Sequence, residues 1–146
     1  MNFDTIKKKL EALGYKVSCF DTTAEATEYI NGEIDGKTVG FGGSMTLEEM
    51  GLYEALSTHN DVRWHQRIPE GKTSKEVRLA ANAAEIYVSS VNGLAETGEI
   101  INIDGNCNRV ASIFTDTKRC ILSQAKTKLP KTTTAHFGVR EISHRL

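Results

Sequence analysis

A chain of 146 residues, 39% hydrophobic and 25% charged, has the size and composition of one globular domain, able to bury roughly 68–70% of its unfolded surface. Its formal net charge of −1 gives no electrostatic case for nucleic acid or an anionic membrane surface, and no apolar run approaches the roughly 20 residues of a membrane span. The opening MNFDTIKKKL breaks its apolar residues with charge, so it does not read as a secretory signal, and the cytoplasm is the expected location.

Phe3, Ile6, Leu10 and Leu13 recur at helical spacing and Gly14 follows as a stop, which predicts a helix over residues 3–13 with Lys7, Lys8 and Lys9 on its solvated face. Residues 15–20 alternate as a strand. Thr22-x-x-Glu25 is a capping-box pattern opening a second helix, ended by Asn31-Gly32. Asp35-Gly36 turns the chain into a short strand over residues 38–41. Gly42, Gly43 and Ser44 come next, and Thr46-x-x-Glu49 reads as a second box opening a helix to about Leu56. Val62 and Trp64 alternate in a short strand, with Trp64 expected in the core. After a loop around Pro69-Glu70-Gly71, Thr73-x-x-Glu76 supplies a third box, starting a helix through the alanines to Ala84. Residues 86–90 are an apolar strand, and residues 120–122 read as the last one.

Each box lies between a strand-like and a helix-like run. A repeated β-then-α order favours a parallel sheet covered by helices, with right-handed crossovers. Such sheets bind ligands beyond the carboxyl ends of their strands. Two polar segments directly follow strands, the Gly42-Gly43-Ser44 block and the stretch over residues 89–113. They are expected to meet at one rim, with Gly43 and Arg109 facing a shared pocket.

The second segment, SSVNGLAETGEIINIDGNCNRVASI, gathers Asn92, Glu96, Asp104, Asn106, Asn108 and Arg109 within fewer than twenty positions. Thr97-Gly98 and Asp104-Gly105 are expected to supply the positive φ of tight turns, and the apolar run over residues 100–103 fits a hairpin. As a binding site, Arg109 would hold a carboxylate or phosphate in two-pronged fashion while Asn92 and Asn108 orient the ligand. Glu96 or Asp104 would be the acid–base group, if burial brings its pKa toward neutrality. As structure alone, Asp104-Gly105-Asn106 would be a turn, Asn108 a cap and Arg109 the partner of Asp104. Turn chemistry explains Asp, Gly and Asn but not the nearness of Asn92, Glu96 and Arg109, which favours the binding reading.

The Gly42-Gly43-Ser44 block offers backbone N–H groups at a helix start, suited to a phosphate, a carboxylate or a CoA pyrophosphate. It is neither a Walker motif nor a dinucleotide fingerprint. Glu48 and Glu49 argue the other way, since they already bring negative charge to that helix. Cys19, Cys107 and Cys120 have no paired spacing, which gives no disulfide framework, no metal site and no chain-borne cluster. Cys19 and Cys120 read as buried small hydrophobes, and Cys107 as an ordinary thiol of the polar turn. His59, His65, His136 and His144 show no ligand spacing and no link to either segment. Ser44 and Ser90 lack a nucleophile context.

NGLAETGEIINIDGNCNRVA resembles the signature of the LUD (lactate-utilisation) domain family, N-A-x-T-E-x-G-x-x-x-N-x-D-G-x-G-N-R-V-A. Asn92, Glu96, Gly98, Asn102, Asp104, Gly105, Asn108 and Arg109 fall on its positions, while Cys107 stands where the family usually has glycine and Ala95 where it has threonine. VGFGGSMTLEEMGL, residues 39–52, resembles the family's glycine-serine-x-threonine-leucine-glutamate-glutamate block, and AKTKL its G-x-N-K-I. The resemblance implies the fold of ribose-5-phosphate isomerase, glucosamine-6-phosphate deaminase and the CoA-transferases, a Rossmann-like parallel sheet with an added β-hairpin. It implies a component of L-lactate oxidation to pyruvate, acting with iron–sulfur partner subunits that hold the electron carriers. This chain itself would carry no cofactor and would bind a small organic acid.

Two alternatives stand beside that expectation. One is a stand-alone isomerase or CoA-transferase-like enzyme on a phosphorylated or thioester substrate, with Glu96 or Asp104 as acid–base group or nucleophile. The other is a non-catalytic interaction module. After Pro130, KTTTAHFGVREISHRL has a weak helical pattern and no family resemblance, so residues 130–146 of this single domain read as an altered or truncated form of the family's C-terminal helical region. Exposed sheet edges make a homodimer a further expectation.

Overall fold

The computed structural model describes residues 3–114, 119–124 and 137–143, and the AKTKL segment, His136 and His144 lie outside them. The chain opens with α1 (Phe3–Ala12), where Ile6 and Leu10 face inward, then β1 (Lys16–Phe20). Gly14 stops the helix at φ 87. The box at α2 (Thr23–Glu33) forms as read: Thr22 Oγ1 accepts from the Glu25 N–H at 3.2 Å, and the Glu25 carboxylate accepts from the Thr22 N–H at 3.3 Å. The helix runs through Asn31-Gly32 to Glu33, because Ile30 and Ile34 on either side are both buried in the core.

Between β2 (Thr38–Phe41) and β3 (Asp61–Trp64) the expected single helix is two, α3 (Met45–Glu49) and α4 (Leu52–Ser57). Gly51 breaks it in a left-handed conformation at φ 64, which lets both Leu47 and Leu52 reach the core. The cap is also not Thr46. Ser44 Oγ accepts from the Leu47 N–H at 3.2 Å, so the helix starts two residues early and Glu49 ends α3. The third box holds at α5 (Ser74–Asn82), where Thr73 and Glu76 cap each other. There follow β4 (Ile86–Ser90), β5 (Gly93–Leu94), β6 (Ile100–Ile101), α6 (Asn108–Phe114), β7 (Arg119–Ser123) and β8 (Phe137–Ser143).

Six strands make one sheet in the order β1-β8-β7-β4-β2-β3. β7, β4, β2 and β3 are mutually parallel, giving the expected Rossmann-like α/β sheet flanked by helices. The short β5–β6 pair is the added hairpin, although only Ile100 and Ile101 of the run over residues 100–103 are in strand. Two expectations fail at the other end. Residues 137–143 are extended, not helical, and β8 runs antiparallel to both β7 and β1, tying β1 to the sheet. FGVREIS sets Phe137 and Val139 two apart and carries a second β-branched residue in Ile142, a strand propensity without a clean alternation.

Side chains alternate across the sheet, as period two requires. Val39, Phe41, Trp64, Ile86, Val88 and Ile121 pack with α2, α3 and α4, while Tyr87, Cys120 and Leu122 pack with Ala81 of α5 and Ile113 of α6. Trp64 is core, as expected, edge-on to Phe41 at 5.4 Å. Cys120 is buried and its thiol is pushed up to about 12 by that burial, but Cys19 is exposed on edge strand β1, contrary to expectation. Gly98 has the expected positive φ of 102, whereas Gly105 does not; Cys107 takes the left-handed conformation instead, at φ 57. Among the described residues no helix is long and apolar enough to cross a membrane.

Candidate functional site

The chain reverses direction across the sheet at β2, going outward to β3 and then returning to place β4 on the other side. A crevice opens at such a reversal beyond the strands' carboxyl ends. Gly42 follows β2 there and Ser90 ends β4, so topology alone brings the two polar segments together. Gly42 continues the ladder by donating its N–H to Val88 O at 2.9 Å.

Contacts at Gly42 are close enough to define the site. A Cβ on this residue would lie 2.4 Å from Ser89 Oγ and 2.8 Å from Arg109 Cγ, so the alkyl stem of Arg109 rests on a surface only glycine provides. Gly43 is covered from the other neighbour: its Cβ position is 3.3 Å from His65 Nε2. Ser44 Oγ bonds Ser90 Oγ at 2.8 Å, joining the β2 and β4 loops, and the Ser44 N–H donates to Gln66 Oε1 at 3.4 Å. The Gly43 N–H has no partner among the described residues. Glu48 is held by Arg67 at 3.2 Å.

The turn before α6 is built by Asp104. Its Oδ2 accepts from the Arg109 N–H at 2.6 Å and the Val110 N–H at 3.3 Å, and its Oδ1 from the Asn106 N–H at 3.2 Å. A carboxylate at the first turn of a helix satisfies orphan donors and opposes the helix dipole. It is therefore the Arg109 backbone, not its guanidinium, that pairs with Asp104. The guanidinium donates from Nη2 to Ile103 O at 2.7 Å and has no carboxylate partner among the described residues. Asn92 closes the hairpin by accepting the Ile103 N–H on Oδ1 at 2.9 Å, which fixes the carbonyl that orients Arg109.

Gly42, Gly43, Ser44, Asp104 and Arg109 are thus brought to one rim, with Asn92 bracing it from behind. Asn108 opens α6 on the Tyr87 side: burial pushes the Tyr87 hydroxyl up to about 12, an effect that Ser112 and Asn108 partly offset. Glu96 is set elsewhere. It is exposed at the hairpin tip, where its carbonyl accepts from Lys9 Nζ at 2.8 Å and Gly98 rests on Lys9 and Leu13 of α1. A separate cleft of about 600 Å³ lies there, lined chiefly by Leu13, Tyr15, Ile100, Ile113 and Phe114 and by Asn102. It is mostly apolar and lies on the hairpin side of α6, away from the glycine block.

His65 is the site residue that reading the sequence missed. The parallel register of Phe41 with Trp64 ends the two strands together, and the turns that leave them bring His65 against Gly43 at the rim. No local spacing reports that register. The imidazole is half-buried and its pKa is lowered, first by desolvation and then by Arg78, with Asp104 acting in the opposite direction.

A family model described as the LUD domain matches residues 3–138, covering the glycine block, the hairpin and the turn at Asp104. No curated protein and no solved structure matches the chain.

Proposed function

Because the chain belongs to the LUD domain family, which is associated with lactate-utilisation proteins, we propose that it binds a small organic acid at this rim in the service of L-lactate oxidation to pyruvate. The observation that carries the reading is Arg109. An arginine whose stem rests on a glycine, with a guanidinium oriented by a backbone carbonyl and no carboxylate partner for it among the described residues, is a cation held ready for an anion. The adjacent Gly43 N–H and the Ser44–Ser90 hydroxyl pair supply uncharged hydrogen-bonding groups beside it. Asn92 and Asn108 hold the two sides of the turn that presents Arg109.

Asp104 acts in this reading through the turn it builds, since both its oxygens accept backbone N–H groups. Glu96, exposed at the hairpin tip beside the second cleft, would serve contact with a partner in this reading. The three cysteines form no cluster motif, so the electron carriers belong to iron–sulfur partner subunits, and the cytoplasm is the compartment that suits such an assembly.

Thermal unfolding in millimolar lactate or pyruvate tests the proposal, since a ligand that binds only the native state raises its apparent stability. Both acids are expected to raise the melting temperature, and Arg109→Ala to abolish the gain while the unliganded protein still unfolds cooperatively. Stabilisation by sugar phosphates or CoA alone would replace this reading with that of a stand-alone isomerase or transferase. If no small anion stabilises the protein, the rim is not a ligand site and the interaction-module reading takes its place.

A further inference from the structure

Gly40 and Gly42 are two apart along β2 and its ladder-bonded extension, so they share a sheet face; Gly40 is partnered in β3 by Arg63, and His65 opens the turn after that strand. A Cβ on Gly40 would strike the Ala81 carbonyl of α5, and Arg63 Nη1 donates to the Ala80 carbonyl of the same helix at 3.2 Å. The Arg109 stem over Gly42 is on that face, and His65 reaches Gly43 beside it, at the carboxyl ends of the adjacent strands. The charges that reach His65 come from that face too: Arg78 from α5 and Asp104 from the turn before α6. Arg109 reaches the same rim over Gly42, Arg67 beside it is paired with Glu48, and the neighbouring Gln66 is neutral.

The two ring nitrogens have different surroundings. Nε2 is the nitrogen over Gly43, on the side of the loop. Nδ1 is buried with no hydrogen-bond partner among the described residues. An orphaned buried N–H is rarer and costlier than an orphaned acceptor, so a neutral ring carries its proton on Nε2. A second proton on Nδ1 would be a buried cation without an acceptor, and both desolvation and Arg78 oppose it, more than Asp104 favours it.

Resting on the reading that Arg109 holds a carboxylate, we propose that His65 is the specificity residue of the site: its Nε2–H donates to an oxygen on the carbon next to that carboxylate. The rim then selects 2-oxo and 2-hydroxy acids over plain carboxylates of the same length. A ligand lacking that oxygen would cover the Nε2–H and leave it unpaired, which is the arrangement that discriminates most strongly between otherwise similar ligands. A neutral donor serves a carbonyl and a hydroxyl oxygen alike.

Titration calorimetry of the full chain with pyruvate, lactate and propionate provides the test. Pyruvate and lactate are expected to bind at least about tenfold more tightly than propionate. His65→Phe, which keeps an aromatic ring over Gly43 without a donor, is expected to remove that preference, weakening pyruvate and lactate while sparing propionate the cost of an unpaired donor. His65→Gln, which restores an N–H donor, is expected to recover part of it. Equal affinity for the three acids in the wild type, or a preference that survives His65→Phe, would overturn the inference. The Arg109 site would still stand in those cases if Arg109→Ala abolished propionate binding, whereas failure of all three acids to bind would remove both. Pyruvate affinity is expected to be level between pH 7 and 8, and a steep rise on lowering the pH through that range would make His65 a cation and refute the neutral donor.

Discussion

Cys107 holds φ 57, a left-handed conformation that costs an L-residue with a Cβ roughly 1–2 kcal/mol. The position is exposed, so nothing in the packing favours the thiol. Cys107→Gly is expected to raise stability by about 1 kcal/mol, read as a higher urea midpoint at unchanged slope. An unchanged or lower midpoint would show that the turn is not strained. Gly40 and Gly42 separate stability from binding in a similar way. A methyl on Gly40 meets the backbone of Ala81 at 2.0 Å, which no rotamer change relieves, and Gly40→Ala is expected to cost roughly 1–3 kcal/mol or more. A methyl on Gly42 meets the side chains of Ser89 and Arg109, which can move. Gly42→Ala is therefore expected to weaken anion binding in calorimetry more than it lowers the melting temperature. At this scale the sequence was half legible. The glycine block and Arg109 stand out by residue type, but His65 joins them only through strand register. The left-handed residue of the turn was assigned to Gly105 because Asp-Gly is the stronger local signal; the family pattern, with glycine at 107, pointed to the correct place.

Capping patterns show where helix starts can and cannot be read. Thr22 and Thr73 cap as expected because each is the first hydroxyl after a strand or loop with a glutamate three residues on. Thr46 does not, because Ser44 precedes it and its hydroxyl also reaches Ser90. Ser44→Ala is expected to cost about 1 kcal/mol as a lost cap, and to loosen the contact between the β2 and β4 loops. A loss confined to binding, with no change in unfolding midpoint, would mean the cap is not holding α3. The box at Thr73 has a signature in pH. The Thr73 hydroxyl and backbone N–H hold the Glu76 carboxyl below its ordinary value of 4.5. A depressed carboxylate stabilises the fold above its unfolded pKa and loses that contribution as pH falls through the folded one. Glu76→Gln is expected to flatten the decline of stability below about pH 4.5, measured by urea unfolding at stepped pH. An identical acid limb in both proteins would remove this assignment.

Across the whole molecule, the parallel core of the sheet was legible because three β-then-α units repeat, whereas its far side was not. β8 sits between β7 and β1, so its backbone is used on both edges. Val139→Pro removes an N–H donor from an interior strand and is expected to destabilise by roughly 1–3 kcal/mol, with hydrogen exchange accelerated in β1 more than in β2. Equal exchange in the two strands would show that β1 does not depend on β8. The sequence could not announce this pairing, since Lys16 meets Glu141 and no local pattern spans that distance. The same long reach has a consequence during synthesis. β1 leaves the ribosome early, yet its strand partner is still more than a hundred codons away. At roughly 5–20 residues per second, the nascent chain carries that ribbon unmated for on the order of ten seconds. In that interval a holdase has its natural opening, and a neighbouring polysome its chance of a wrong pairing.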